Sequence, residues 1–369
     1  MSQEQEVREA PAVQQQRRSV ATRDFSRRVA IVNGITALFI LALAAVYVAA
    51  DALLLVFACI LFAIFLYQLT GALRKRLHIS HTLALTAVVL LLLGVFVGGG
   101  WLMAPQISEQ AGQLAKAVPQ SLERMRAMLQ SHEWLRFLVN HMPSPEQISQ
   151  HLGRMVPNAG LFFAGIVGAL GNVAIITFVG IYFAAAPRQY LRGLIKLIPQ
   201  RKRARADEVL HTIGDELGRW LLGKFTSMVL VGIMTTVGLY LLDVPLALIL
   251  GIIAGLLDFI PYLGPIFAGV PAVLIAMTIS PDLALYTVLL FVGIQLVEGY
   301  LLQPLIEAKA VALAPALVIV MQLAFGAFFG LAGVALATPL TAVLAVLVGM
   351  LYVEDVLGDK ADLPKGGGS

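Results

Sequence analysis

Charge is what this sequence has least of. Only 13% of its 369 residues are Asp, Glu, Lys or Arg, against about 25% in an ordinary soluble domain. A soluble enzyme is excluded on that ground, because 59% of the residues are hydrophobic and a water-facing surface could not be built from the rest. Cysteine is nearly absent too. Cys59 stands alone, so no intrachain disulfide is possible. The six histidines are scattered and show no metal-ligand spacing, so neither a metal site nor a cofactor is expected. The net charge of +4 calls for no nucleic-acid partner, since the basic residues cluster where a membrane topology would put them.

What the sequence does have is long apolar runs. A bilayer core takes about 20 consecutive apolar residues per helix. Val29–Ala50, Ala52–Leu69, Thr82–Ala104 and Leu161–Ala186 each meet this without an internal Lys, Arg or Glu, and more runs follow Lys224. Barrel strands are short and alternate polar with apolar, so a β-barrel does not fit. Met1–Arg28 is too long a polar lead, and the run after it too long, for a cleavable signal. Lys365–Ser369 reads as a flexible tail. The expected fold is an all-α polytopic membrane protein with six to eight transmembrane helices.

Basic residues resist translocation and mark cytoplasmic flanks. Arg17, Arg18, Arg23, Arg27 and Arg28 place residues 1–28 inside. Asp51 turns the chain outside, and Arg74, Lys75 and Arg76 bring it back. Residues 29–104 thus hold three spans, 105–160 an external helical segment, and 161–186 a fourth span. Arg188, Arg192, Lys196, Arg201, Lys202, Arg203 and Arg205 make 187–221 a basic cytoplasmic segment. Residues 222–350 form the remaining membrane core, and 351–369 a cytoplasmic tail. Both long connections carry helical stripes: Ile107, Ala111, Leu114, Val118, Leu122, Met125 and Leu129 in one, Val209, Leu210, Ile213, Leu217, Trp220 and Leu221 in the other. Ser144-Pro145-Glu146-Gln147 reads as a capping-box helix start. Such amphipathic helices lie on the bilayer, pack on the bundle, gate, or meet a partner.

The last third carries an internal repeat with two broken or re-entrant segments. Pro245–Ile279 is too long for one crossing and short for two, with Pro261, Gly264 and Pro265 interrupting it. Ala312–Met350 is overlong in the same way and is interrupted at Gly326, Gly330 and Gly333. Val244-Pro245-Leu246-Ala247 parallels Ala314-Pro315-Ala316-Leu317, and the Pro265–Pro271 spacing parallels Gly333–Pro339. If each stretch is a hairpin, the repeats are inverted and Asp243 and Asp282 share the outer side. If each is one broken span, the repeats are parallel and there are eight spans. The lack of Lys and Arg at Ser280–Leu283 favours hairpins. Transporters place solute sites where broken helices meet, near the bilayer midplane.

At Asp258-Phe259-Ile260-Pro261-Tyr262-Leu263-Gly264-Pro265 the sequence resembles the autoinducer-2 exporter family, the PerM-like bacterial permeases. The family's Gly-Val-Pro turn corresponds to Asp243-Val244-Pro245, its Gln-x-x-Glu pair to Gln295 and Glu298, and its closing Ala-x-Pro-Leu to Ala337-Thr338-Pro339-Leu340. An apolar Pro304-Leu305-Ile306 stretch follows the pair. The resemblance covers nearly everything from Arg28. It implies export of small molecules, a quorum-sensing furanone in some members, and sodium or lithium exchange for protons in others. The chain departs from the pattern where the family often has Gly-Gln, here Gly223-Lys224, where it has Asn, here Gly299, and where it has Leu-His-Pro, here Leu313-Ala314-Pro315.

Asp258 and Glu298 are the carboxylates well inside these apolar segments. A carboxylate in hydrocarbon costs about 2.5 kcal/mol or more on insertion scales, so it faces a partner or a pathway. Either they couple transport to a proton or cation, or Asp258 caps a half-helix while Glu298 bonds Gln295. Pro261, Gly264, Pro265, Gly330, Gly333 and Pro339 shape the breaks, which expose backbone groups to a polar solute. Tyr262 lines that path or anchors at the interface. Lys309 beside Glu307 reads as a local ion pair or a snorkelling residue. Ser227 and Ser280 lack a histidine within a span, so an intramembrane enzyme is not supported. The expected function is ion-coupled export of a small polar solute, autoinducer-2 being the one the resemblance implies, with a sodium (lithium)/proton antiporter or a channel-like pore as alternative. Expected partners are membrane lipid, the small-molecule solute, a coupling proton or cation, and further copies in a homo-oligomer.

Overall fold

The computed structural model describes residues 33, 36, 49–130, 159–302 and 313–359. Most of the first apolar run, the Ser144–Gln147 helix start, Pro304-Leu305-Ile306, Glu307 with Lys309, and the Lys365–Ser369 tail lie outside the described residues. Among the described residues every regular element is helical. They are α1 (Ala50–Leu77), α2 (His81–Gln130), α3 (Ala159–Ala185), α4 (Pro187–Lys196), α5 (Arg203–Leu241), α6 (Ala247–Leu257), α7 (Leu263–Met277), α8 (Pro281–Val297) and α9 (Pro315–Leu347). π-helical turns follow α8 at Glu298–Leu302 and α9 at Val348–Leu357.

Five of these helical stretches are long and apolar enough to cross a membrane, and six if the bent α3–α4 pair is one span. Their outer faces carry large apolar side chains such as Phe96, Trp101, Leu102, Phe178 and Tyr240, each more than half exposed in the isolated chain. Surfaces like these require lipid or another apolar partner. The chain is an all-α polytopic membrane protein.

Apolarity marks where lipid ends rather than where a helix ends. The third apolar run stops at Ala104, yet α2 runs on unbroken to Gln130, 50 residues from its start at His81. Its polar half packs on the core, with Ile107, Leu114 and Ala117 against a cluster of Leu239, Val244, Leu250 and Ala276. In contrast, α3 gives way to α4 with an 85° bend. Pro187 at the first position of α4 has no N–H to continue the α3 ladder, and it starts a new helix well. Arg188, Arg192 and Lys196 then run across the direction of the span, as in a helix lying on a bilayer surface.

The stretch after α5 is a hairpin. Ile249 and Leu250 of α6 share a buried cluster with Ala272, Ile275 and Ala276 of α7. Deeper in, Ala254 meets Ala268. The two helices are therefore antiparallel, and Met277 returns to the level where Ala247 began. At 11 and 15 residues they are roughly 17 and 23 Å long, each short of a full crossing. Gly251 and Gly255 let α6 press onto α5. A Cβ on Gly255 would lie 2.7 Å from the Met228 carbonyl oxygen, and one on Gly251 would strike Thr236. This is the small-xxx-small packing of membrane helices. Asp243 holds a left-handed φ of 55° at the hairpin entrance, where the resembled family has glycine; a short polar side chain tolerates that region.

The second overlong stretch reverses as well. Gly330 (φ 61°, ψ −147°) breaks α9 into two arms. Val334 comes back beside Gly326, and Gly333 lies so close to the Phe325 carbonyl that a Cβ there would collide. Gly264 is pressed against the Leu257 carbonyl in the same manner at the first tip. The returning arm sets Ala342 against Leu217, Trp220 and Leu221, then Val346 and Met350 against Val209. Thus the first hairpin opens toward the Leu241 end of α5 and the second toward its Arg203 end. The two are inverted, as the hairpin reading requires. At the Arg203 end, Arg205 bridges Glu208 (2.8 Å), Glu354 (2.6 Å) and Asp355 (3.0 Å), tying the C-terminal turns to α5.

Candidate ion and solute site

The tip of the first hairpin carries the buried charge. Asp258 follows the last turn of α6, and Glu298 opens the π-helical turn after α8. Because α8 runs antiparallel to α7, with Ala284 beside Ala276 and Ile294 beside Ala268, its end arrives at the level of the tip. Lys224 on α5 meets both. Its Nζ lies 3.0 Å from Asp258 Oδ2 and 3.2 Å from Glu298 Oε1. All three side chains are at least nine-tenths buried.

One turn further along α5, Ser227 donates toward the same two oxygens, at 3.0 Å to Asp258 Oδ2 and 3.2 Å to Glu298 Oε1. Gln295 Nε2 donates to the other Glu298 oxygen at 3.1 Å. The Asp258 side chain is spent on Lys224 and Ser227. The Gln295–Glu298 bond expected from the sequence is present, but as one part of a larger set.

With all three groups ionised the cluster carries one net negative charge, and one proton would neutralise it. Buried ion pairs gain enough Coulomb energy to survive desolvation only when their remaining hydrogen-bonding positions are filled. Ser227 adds a hydroxyl to the two oxygens that Lys224 holds, and Gln295 fills the other Glu298 oxygen.

The two hairpins meet beside this cluster. Gln322, buried in the first arm of α9, donates Nε2 to the Pro261 carbonyl at 3.1 Å. Its Oε1 has no partner among the described residues, and neither has the buried Thr338 hydroxyl on the returning arm. Tyr262 takes a left-handed φ of 65° and leaves its side chain half-exposed. Pro265 sits in the first turn of α7. Gly330, Gly333 and the buried Pro339 shape the second hairpin.

The cluster lies off-centre along α5. Lys224 stands about 27 Å along α5 from Leu242 but only about 8 Å from Arg219. The first hairpin reaches most of the way along α5 before turning, which sets the cluster nearer the Arg203 end of that helix.

Lys224, Ser227 and Gln322 are absent from the sequence-predicted site. The one available signal was the departure at Gly223-Lys224, a charged residue just inside a span where the resembled family often has an amide.

Comparison with known proteins decides the family. The profile described as AI-2E family transporter matches residues 36–352. The chain belongs to the AI-2E transporter family. Relatives agree in kind. It is 28% identical over 309 residues to "Putative transport protein YrrI" of Bacillus subtilis, covering 79% of this chain and 86% of that one. Like-named YueF of the same organism is 24% identical over 72% of this chain and 75% of its own. YhhT of Escherichia coli is 26% identical over 82% and 85%. This AI-2E family member is a membrane transporter in its general class.

Proposed function

We propose that this chain exports a small polar solute by secondary transport, with Asp258 or Glu298 taking up and releasing one proton in each cycle. The observation that carries this reading is the Lys224–Asp258–Glu298 cluster, buried at the tip of a hairpin and one proton short of neutrality. A group of charges inside an apolar bundle is costly to keep unless it works, and it marks an ion pathway. Inverted hairpins opening toward opposite ends of α5 supply the usual frame for alternating access, with each face closed by a different repeat. The unpartnered Gln322 oxygen and Thr338 hydroxyl add polar groups that a solute can satisfy.

The basic flanks support a chain set in the bacterial inner membrane with both termini in the cytoplasm. Lipid and neighbouring copies in a homo-oligomer cover the exposed apolar faces. Autoinducer-2, the signal that the family's name denotes, is the first solute to try. A second reading, exchange of sodium or lithium for protons, requires an ion to displace Lys224 from the point on which two carboxylates and a hydroxyl converge.

The test is uptake into proteoliposomes under an imposed pH gradient. Saturable uptake that follows the gradient supports a coupled transporter. Unsaturable flux indifferent to it would identify a pore.

A further inference from the structure

We infer that Asp258, Glu298 and Ser227 form an oxygen site for one monovalent cation, and that the ammonium of Lys224 is its permanent occupant. The inference rests on the reading of this cluster as the ion site and names its occupant.

Asp258 Oδ2 and Glu298 Oε1 come from segments that no local turn connects, one after α6 and one after α8. They converge nonetheless on one point, and Lys224 Nζ occupies it at 3.0 and 3.2 Å. Ser227 Oγ stands 3.0 and 3.2 Å from the same two oxygens, so the hydroxyl closes the group from the α5 side. Gln295 holds the second Glu298 oxygen and fixes the direction of the first.

Two carboxylate oxygens and a hydroxyl are the ligands a hard cation selects. An ammonium and an alkali ion carry the same charge, so either one balances the site. The difference is the tether. Lys224 reaches the oxygens on its own side chain, and its high effective concentration shuts out sodium from solution. The carboxylate pair needs one cation and one proton to become neutral. Lys224 supplies the first permanently, so only the proton exchanges. Lys224 thereby sets the ion specificity of this member.

The experiment is thermal unfolding of purified full-length protein in detergent, in sodium chloride and in choline chloride of equal ionic strength. Wild type and Lys224→Arg should melt at the same temperature in both salts. Lys224→Gln should show a saturable rise in Tm of about 2–4 °C in sodium. Adding Asp258→Asn to Lys224→Gln should abolish that rise.

A sodium response in wild type equal to that of Lys224→Gln would overturn the inference. So would a folded Lys224→Gln that melts identically in both salts. If Lys224→Gln is recovered only in sodium, the site has taken the ion and the inference holds. If it is recovered in neither salt while the charge-balanced Lys224→Gln/Asp258→Asn is recovered, sodium cannot replace the ammonium and the inference fails. The readout is binding without flux, so a failure of proton-driven export would show in vesicles and leave this result standing.

Discussion

Gln322 of one hairpin donates a hydrogen bond of 3.1 Å to the carbonyl of Pro261 at the tip of the other. It is a contact between the inverted repeats beside the charged cluster, and it forms at a backbone group that Pro261 and the following turn leave outside the helical ladder. A neutral hydrogen bond contributes about 0.5–1.5 kcal/mol. Gln322→Leu should therefore cost no more than about 1 kcal/mol, since it also removes the unpartnered Oε1. Its effect on export should be far larger than its effect on Tm. Flux measured beside thermal unfolding checks this, and an equal loss in both would reduce Gln322 to packing.

Gly264 and Gly333, like Gly251 and Gly255, are required by close approach, whereas Gly299 is not. A Cβ on Gly264 or Gly333 would strike a backbone carbonyl, whereas one on Gly299 would meet nothing within 4 Å. Gly264→Ala and Gly333→Ala should each destabilise by about 1–3 kcal/mol through overpacking at the tips. Gly299→Ala should leave Tm unchanged. Thermal unfolding of the three variants decides it; a tolerated Gly264→Ala would contradict the tight reversal.

Removing Lys224 leaves two carboxylates sharing one buried site. In sodium-free medium Lys224→Met should lose about 3–5 kcal/mol, the cost of breaking a buried pair by one partner. Lys224→Met/Asp258→Asn should recover part of that loss, because it restores the charge balance. A double-mutant cycle in choline chloride measures the coupling. Strict additivity would show that Lys224 and Asp258 are not an energetic pair.

Much of the frame was readable before any coordinates. Apolar run length gave the spans, and Pro261 with Gly264, then Gly330 with Gly333, gave the two breaks, because these residue types interrupt backbone hydrogen bonding wherever they stand. Asp258 and Glu298 stood out because a carboxylate among apolar residues has few innocent explanations. Lys224 did not, since a lysine at the start of a span reads as a flank that snorkels to the surface. Its partners lie one and three helices further along the chain, and only the antiparallel return of α6, α7 and α8 brings them to it. Gln322 was hidden for a similar reason, because an uncharged amide barely alters an apolar run. The continuation of α2 past Ala104 was missed because hydropathy changes there while helical hydrogen bonding does not.

The inverted hairpins fix which loops share a side. Asp243 and Asp282 lie at the open end of the first hairpin, and Arg203 at the far end of α5. Cysteines replacing Asp243 and Asp282 should react with an impermeant thiol reagent in intact cells, in a background where Cys59, buried in α1, is retained as a control. A cysteine replacing Arg203 should react only after the membrane is opened. Opposite-side reaction at 243 and 282 would restore the eight-span, parallel arrangement.

The proton-coupling claim is tested most directly by the initial rate of solute export in vesicles against an imposed pH gradient, for wild type, Asp258→Asn and Glu298→Gln. The amides keep the shape of the side chains and much of their bonding to Ser227 and Gln295, but they cannot take up and release a proton. At least one variant should insert and fold normally yet lose the gradient response, by about 10²-fold or more if that carboxylate is the carrier. Full retention of the response by both variants would contradict the account, and would leave Asp258 and Glu298 as no more than structural partners of Lys224.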